Sequence, residues 1–129
     1  MMQKKVSGTT RATSWTRLKR ELPAYDSIVC LNSGSEANTL AMRLANIHST
    51  PNPVLISMKG SFHGRTEKPA LVSDSCRTAY TTHLADYSEE PSNTYFIEPN
   101  DINDAEAVFK TIQANGQFPE LTLIEPVQG

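Results

Sequence analysis

The sequence lacks the features that mark membrane, secreted and metal-binding proteins. No apolar run approaches the roughly 18–20 residues that span a bilayer, and no apolar stretch follows the charged N-terminus as in a secretory signal. The two cysteines, Cys30 and Cys76, match no metal-ligand spacing. A formal net charge of −2 gives no reason to expect nucleic acid or an anionic membrane as a partner. We therefore expect a cytoplasmic protein without a metal, in which Cys30 is buried as a small apolar side chain.

Short apolar runs alternate with helical patterns along the chain, whose 129 residues are within the size of one domain. The apolar runs predict four strands, at Ile28–Leu31, Val54–Met58, Thr94–Ile97 and Leu121–Ile124. The periodic segments predict helices from Thr13 or Ser14 to near Leu22, from Ser35 to near His48, before Val72, and from Ile102 to Ala114 after a cap at Asn100 or Asp101. Because the strands lack polar alternation, we predict an α/β fold, a mostly parallel sheet with helices on both faces.

Two polar segments have no regular pattern. Ser7–Thr10 has the composition of a turn or loop. Ser73–Ser92 shows no firm periodicity and is predicted to lie on the surface. So long an irregular stretch counts against a fully self-contained domain.

The stretch Ile28–Asn38 joins a strand, the small-residue turn Ser33-Gly34-Ser35 and a helix start. The helix is predicted to present an apolar face made of Ala37, Leu40, Ala41, Leu44, Ala45 and His48. Free N–H groups and the helix dipole attract anions to a helix start, glycine allows close approach, and serine hydroxyls add donors. We hypothesise that this turn holds a phosphate group. The alternative is that Ser33 or Ser35 only caps the helix.

Three loops that contain glycine leave the carboxyl ends of predicted strands. These loops are Ser33–Ser35, Gly60–Gly64 and Glu125–Gly129. In parallel sheets, ligands bind beyond the carboxyl ends of the strands. We therefore expect the three loops to converge on one crevice.

At these loops the sequence resembles the class-III pyridoxal-phosphate aminotransferases of fold type I, the ornithine, acetylornithine and 4-aminobutyrate type. The resemblance rests on Asn32–Asn38, Ser61–Thr66 and Ile124–Gly129, which occur in the family's order, and Lys5–Arg11 is also similar. It implies that the chain is an incomplete fold type I large domain.

The resemblance implies pyridoxal 5'-phosphate as the cofactor. Ser33, Gly34 and Ser35 would donate hydrogen bonds to the cofactor phosphate. Phe62 would stack on the pyridine ring, because a flat apolar face fixes the tilt of the ring. The alternative for Phe62 is an ordinary position in the core.

The same resemblance implies two further cofactor-binding residues. His63 would lie beside Phe62 near the ring and help to orient it, although a lone histidine is also compatible with a structural role. Glu125 would be the active-site carboxylate near cofactor and substrate. Arg65 and Thr66 would support the loop, and we assign them no chemistry.

In the family, the Schiff-base lysine and the aspartate that pairs with the pyridinium nitrogen follow the Glu-Pro-Val-Gln-Gly motif. We therefore expect both beyond Gly129, with no catalytic residue inside the chain. Residues 1–27 would form an N-terminal segment with a short helix. Residues 28–129 would form a partial cofactor-binding large domain, truncated before the lysine and inactive by itself.

The function implied by the resemblance is transamination, from an amino acid or ω-amino donor to a 2-oxo acid, in a homodimer with active sites between its subunits. Alternatives on the same fold are a lyase, an aminomutase or a racemase. Another alternative is a non-catalytic truncated product that docks on a full-length subunit. A nucleotide-binding domain ranks last, because the Ser33–Ser35 turn lacks the G-x-G-x-x-G spacing and no Walker lysine is present.

Overall fold

A computed structural model describes residues 8–48, 50–83 and 93–128. Residues 5–7, 84–92 and 129 belong to segments named in the predictions above, and they lie outside the described residues. The chain divides into two compact units, Met1–Cys30 and Leu31–Gly129, and each is described by itself. The predicted boundary between residues 27 and 28, with the role of each part, stays a prediction.

The first unit contains helix α1, Gly8–Glu21. The helix begins earlier than the predicted cap at Thr13 or Ser14, and the predicted loop at Ser7–Thr10 is wrong from Gly8 onward. Helix propensities of Gly and Thr are only about 0.5–1 kcal/mol below that of Ala, so such residues lower the chance of a helix without excluding it. The predicted end before Pro23 is confirmed.

The segment that follows α1 is not the predicted strand. Ile28–Leu31 pairs with none of the strands in the described residues. Cys30 is exposed, so its predicted burial is also wrong. Ile28 and Val29 instead line a pocket of about 340 Å³ within this unit, together with Trp15, Leu18, Leu22, Tyr25 and Ser27.

The second unit contains a parallel sheet of three strands, in the order β2-β1-β3. β1 is Pro53–Met58, β2 is Thr94–Ile97 as predicted, and β3 is Phe118–Thr122. Strand β3 begins three residues before the predicted Leu121 and contains Pro119. Proline is tolerated there because β3 is an edge strand, and its ladder with β1 shifts register between Val54 and Leu55.

The described residues of the second unit contain four α-helices: α2, Gly34–Ile47; α3, Glu67–Leu71; α4, Arg77–His83; and α5, Ile102–Ala114. The predicted α2 and α5 are confirmed to within a residue, Asp101 caps α5 as proposed, and α3 is the short helix predicted before Val72. The prediction of an irregular segment after Ser73 is wrong for residues 74–83, which form a 3₁₀ turn and α4. No helix in the described ranges is long and apolar enough to cross a membrane.

Side chains of strand β1 point to both faces of the sheet and pack there. On one face, Val54 and Ile56 pack with Ile112 of α5. On the other face, Leu55 packs on a cluster that contains Met42 of α2 and residues after α3 and β3, namely Val72 and Leu123. Alternate residues of one strand therefore enter two apolar clusters, which confirms the α/β fold with helices on both faces.

Helix α2 presents a different face to its unit than the predicted one. Met42 is its buried residue, at 2% exposure, whereas Leu44 of the predicted apolar face is 52% exposed. Ser35, Asn38 and Thr39 lie on the Met42 side and are half-buried. Hydrophobic periodicity did not predict this face, because the polar residues on it are half-buried through hydrogen bonds to residues 63–66.

Replacement of a fully buried β1 side chain tests the two-sided core. We expect Ile56→Ala, at 0% exposure, to lower the free energy of unfolding by about 2–5 kcal/mol, because it leaves a cavity between β1 and α5. Ile47→Ala, at a site 72% exposed, should change it by less than about 0.5 kcal/mol. Urea unfolding of both variants is the measurement, and equal effects would contradict this account of the core.

Candidate functional site

Two of the three glycine-containing loops leave neighbouring parallel strands. The loop from Lys59 follows β1, and the segment from Leu123 follows β3, which pairs with β1. Because the two strands are parallel, both loops lie at the same end of the sheet, where the strands have their carboxyl ends. The Ser33–Ser35 turn follows no strand of this sheet, which corrects that part of the prediction, but the structure places it against the β1 loop.

The start of α2 carries a capping box. The Glu36 N–H donates to Ser33 Oγ at 3.2 Å, and the Glu36 carboxylate accepts from the Ser33 N–H at 3.2 Å and the Asn32 N–H at 2.9 Å. The interpretation of Ser33 as a helix cap is therefore confirmed. The cap leaves the N–H groups of Gly34 and Ser35 without a partner among the described residues.

The helix start has open space on the Cβ side of Gly34. A Cβ built on Gly34 would have no atom within 4 Å. The oxygens of the Ser33 and Ser35 hydroxyls accept hydrogen bonds from backbone N–H groups, so both hydroxyl protons stay available to a ligand. Two amides and two hydroxyls, placed at the positive end of a helix, form a donor set suited to an anion.

The loop after β1 lies directly on this helix start. Gly64 has φ +130°, and a Cβ added there would lie 2.7 Å from Ser35 Oγ and 2.9 Å from Ser35 Cα. The Arg65 N–H donates to Ser35 Oγ at 3.3 Å, and the hydroxyls of Thr39 and Thr66 lie 3.2 Å apart. Only glycine fits this approach. The first and second predicted motifs are thus in contact.

Phe62 and Glu125 link the second motif to the third. The Phe62 N–H donates to the Glu125 carboxylate at 3.1 Å. The Phe62 side chain is 42% exposed, so the alternative of an ordinary core position is wrong. The Arg65 guanidinium lies 6.0 Å from the centre of its ring. The Glu125 carboxylate therefore holds the backbone of a residue whose aromatic side chain is exposed.

His63 is buried beside this pair, at 7% exposure. Its N–H donates to Ser73 Oγ at 2.8 Å, and its carbonyl accepts from the Asn38 amide at 2.6 Å. The imidazole Nε2 is buried without a hydrogen-bond partner in the described part of the chain. Burial lowers the pKa of His63 below its usual value because it penalises the charged ring, and the Glu125 carboxylate partly opposes this shift.

Further hydrogen bonds hold the base of the β1 loop. The Gly60 N–H donates to the Asp74 carboxylate at 2.8 Å, and the Gln128 amide donates to the Lys59 carbonyl at 3.0 Å. The Lys59 ammonium pairs with Glu98 at the end of β2, at 2.7 Å. Gln128 therefore docks the third motif on the first residue of the β1 loop.

Sequence reasoning missed three residues that shape this site. Asn38 stood inside the first motif but was given no role, although its amide bonds the His63 carbonyl. Ser73 and Asp74 were assigned to an irregular surface segment, yet Ser73 is fully buried. Their bonds are long-range, so local periodicity carries no signal of them. The only indication in the sequence of a buried role was that Ser73, a small polar residue, directly follows a short apolar run.

The assembled site offers a set of anion donors at the α2 start, an exposed aromatic face at Phe62 and a carboxylate at Glu125. Together they suit a flat ligand with an anionic tail. No group of three or more His, Cys, Asp or Glu side chains within residues 8–48, 50–83 and 93–128 could hold a metal ion.

Comparison with known proteins assigns relatives to the chain. The family model described as aminotransferase class-III matches residues 2–129. Over 109 residues, 81% of the chain, it is 32% identical to an acetylornithine aminotransferase of Prochlorococcus marinus and 35% identical to one of Parasynechococcus marenigrum. Over 112 residues, 84% of the chain, it is 31% identical to a glutamate-1-semialdehyde 2,1-aminomutase of Natronomonas pharaonis.

The chain spans only about a quarter of the length of these curated relatives, 25% of both acetylornithine aminotransferases and 23% of the aminomutase. No solved structure matches it significantly.

The contact between Gly64 and Ser35 can be tested with two glycines of positive φ. We expect Gly64→Ala to lower the free energy of unfolding by about 2–4 kcal/mol, through backbone strain and a clash with Ser35. Gly116→Ala, at φ +63° with no atom within 4 Å of the added Cβ, should cost only about 1 kcal/mol. Chemical denaturation measures both, and equal losses would contradict the close approach.

The buried His63 predicts a pH dependence of stability. Because its pKa is lowered in the folded chain, the unfolded chain binds the proton more readily. The free energy of unfolding should therefore fall as pH drops below about 6.5, and His63→Gln should reduce this fall. Urea unfolding between about pH 7.5 and pH 5 compares this variant with His48→Gln, at an exposed site. An unchanged pH slope in His63→Gln would contradict the prediction.

Proposed function

We propose, from the premise that this chain belongs to the class-III aminotransferase family, that it is the cofactor-binding part of a pyridoxal-phosphate enzyme. The enzyme would transfer an amino group from an amino acid or ω-amino donor to a 2-oxo acid. The observation that carries this proposal is the meeting of the α2 start, the Phe62 loop and Glu125 in one cluster.

We assign the cofactor phosphate to Ser33, Gly34 and Ser35. The support for this assignment is the free N–H groups of Gly34 and Ser35 and the two available hydroxyl protons. The capping role of Ser33 does not compete with it, because the cap uses the hydroxyl oxygen as an acceptor. The Glu36 carboxylate is held by the N–H groups of Asn32 and Ser33, which leaves the next two amides to the ligand.

We assign the ring of the cofactor to Phe62, with His63 and Glu125 beside it. The exposure of Phe62 supports stacking, since an apolar ring that is not in the core gains by covering a flat ligand. Glu125 holds the Phe62 backbone and presents a negative charge to the same cluster. The buried Nε2 of His63, which has no partner in the described residues, is able to form one hydrogen bond with a ligand.

When bound, pyridoxal phosphate supplies an electron sink for chemistry at the amino-bearing carbon. The residues of this chain bind and orient it, and we assign the Schiff-base lysine to none of its lysines. The parent enzyme is proposed to be a cytoplasmic homodimer.

A second candidate function is an aminomutase. It is favoured by the relatives named glutamate-1-semialdehyde 2,1-aminomutase, whose identity to this chain, 31% for that of Natronomonas pharaonis, is similar to that of the aminotransferases. The same cofactor site would serve both reactions. An assay of the full-length parent separates the two functions. An aminotransferase moves the amino group to a 2-oxo acid, whereas an aminomutase moves it within one substrate.

The cofactor site is tested with pyridoxamine 5'-phosphate, which has no aldehyde and so forms no adduct with surface lysines. We expect the chain to bind it at least about tenfold more tightly than pyridoxamine, because the phosphate gains the α2 donors. Gly34→Ala should remove most of this difference while leaving the unfolding free energy within about 0.5 kcal/mol, since its added Cβ meets no protein atom.

Isothermal titration calorimetry of both ligands on both proteins is the measurement. Equal affinity of the unsubstituted chain for the two ligands would contradict the phosphate assignment.

A further inference from the structure

Asn38 joins helix α2 to the loop that carries Phe62. Its side-chain amide donates to the His63 carbonyl at 2.6 Å, between residues 25 positions apart in sequence. Asn38 is half-buried and lies one helical turn beyond the capped start of α2. It therefore connects the two parts of the proposed cofactor site, but lies outside the phosphate-binding residues themselves.

A second side chain, that of Ser73 in the segment after α3, holds the backbone of His63. The His63 N–H donates to Ser73 Oγ at 2.8 Å, and Ser73 Oγ in turn lies 3.0 Å from the Gly64 carbonyl and 2.8 Å from the Pro69 carbonyl. Ser73 is fully buried and is itself bonded to two backbone carbonyls. The main chain of His63 is thus fixed between α2 and the end of α3.

The position of His63 determines where Phe62 stands relative to α2. Phe62 is the preceding residue, and Gly64, the following one, already touches Ser35. A ligand with a phosphate at one end and a ring at the other gains both contacts only if their spacing matches its own. Gly64, Arg65 and Thr66 also contact α2, but the hydrogen bond from Asn38 is the link nearest to Phe62 along the loop.

We infer that Asn38 is a positioning residue, whose amide holds the His63 main chain so that the anion-binding start of α2 and the Phe62 ring engage one ligand together. This inference rests on the proposed cofactor site and adds to it a residue that touches neither cofactor nor substrate. Loss of the amide would leave the phosphate donors in place and would displace the ring.

The test compares two probes on the whole chain and on Asn38→Ala. Inorganic phosphate reports on the α2 start alone, and pyridoxamine 5'-phosphate reports on the phosphate and ring contacts together. Asn38→Ala should weaken pyridoxamine 5'-phosphate binding by about tenfold, the loss expected when one aromatic stacking contact is removed, and leave phosphate affinity within about twofold. The induced circular dichroism of the bound pyridine should fall, because the ring is no longer held at one tilt.

Asn46→Ala is the matched control, since Asn46 is exposed two turns further along the same helix. It should change neither affinity. If Asn38→Ala does not fold, Asn38→Gln, which retains an amide but displaces it by one methylene, takes its place in the same comparison.

Equal weakening of both probes, or weakening of neither, would overturn the positioning role of Asn38. A different result identifies failure of the underlying site. If the unsubstituted chain binds pyridoxamine 5'-phosphate no more tightly than inorganic phosphate, the ring contact is absent, and both the assignment of the ring to Phe62 and the positioning role of Asn38 are wrong.

Discussion

The approach of the Gly64 backbone to Ser35 is the constraint on which the rest of the site depends. At this contact a loop that leaves the sheet reaches the start of a helix, with no room for even one methyl group. A small residue at 35 and a glycine at 64 are therefore required by packing, before any ligand is considered. Because the same short loop carries Phe62, whose N–H is held by Glu125, the contact also brings an aromatic ring and a carboxylate to the helix start.

Side chains accept several of the backbone hydrogen bonds of the loop between β1 and α3. Its N–H groups at positions 60, 62, 63 and 65 are each accepted by a side-chain oxygen, from Asp74, Glu125, Ser73 and Ser35 respectively. Three separate segments of the chain thus satisfy a backbone that neither a helix nor a strand could satisfy. This arrangement gives a non-repetitive loop a single conformation, and it explains why short polar residues far apart in sequence recur around it.

Sequence reasoning succeeded where local chemistry decides the structure. The apolar runs of β1 and β2, the caps at Ser33 and Asp101, and the periodicity of α5 all act within a few residues of each other. It failed where distant partners decide. The apolar run at Ile28–Leu31 has no neighbouring strand in the described residues, and α2 buries Met42 with polar neighbours that bond to the loop. The motifs predicted which loops meet, whereas Asn38 and Ser73, which join them, emerged only from the three-dimensional contacts.

The central place of β1 in the sheet has a consequence for how the chain folds. Leu55 pairs with Thr94 on one side and with Leu121 on the other, so its two neighbours follow it by about forty and more than sixty residues. Parallel pairings of such high contact order form slowly, because the intervening chain must lose entropy before the ladder forms. During synthesis, the apolar β1 would leave the ribosome well before the strand that completes its second edge. Until then, one edge of β1 would carry unpaired backbone N–H and C=O groups.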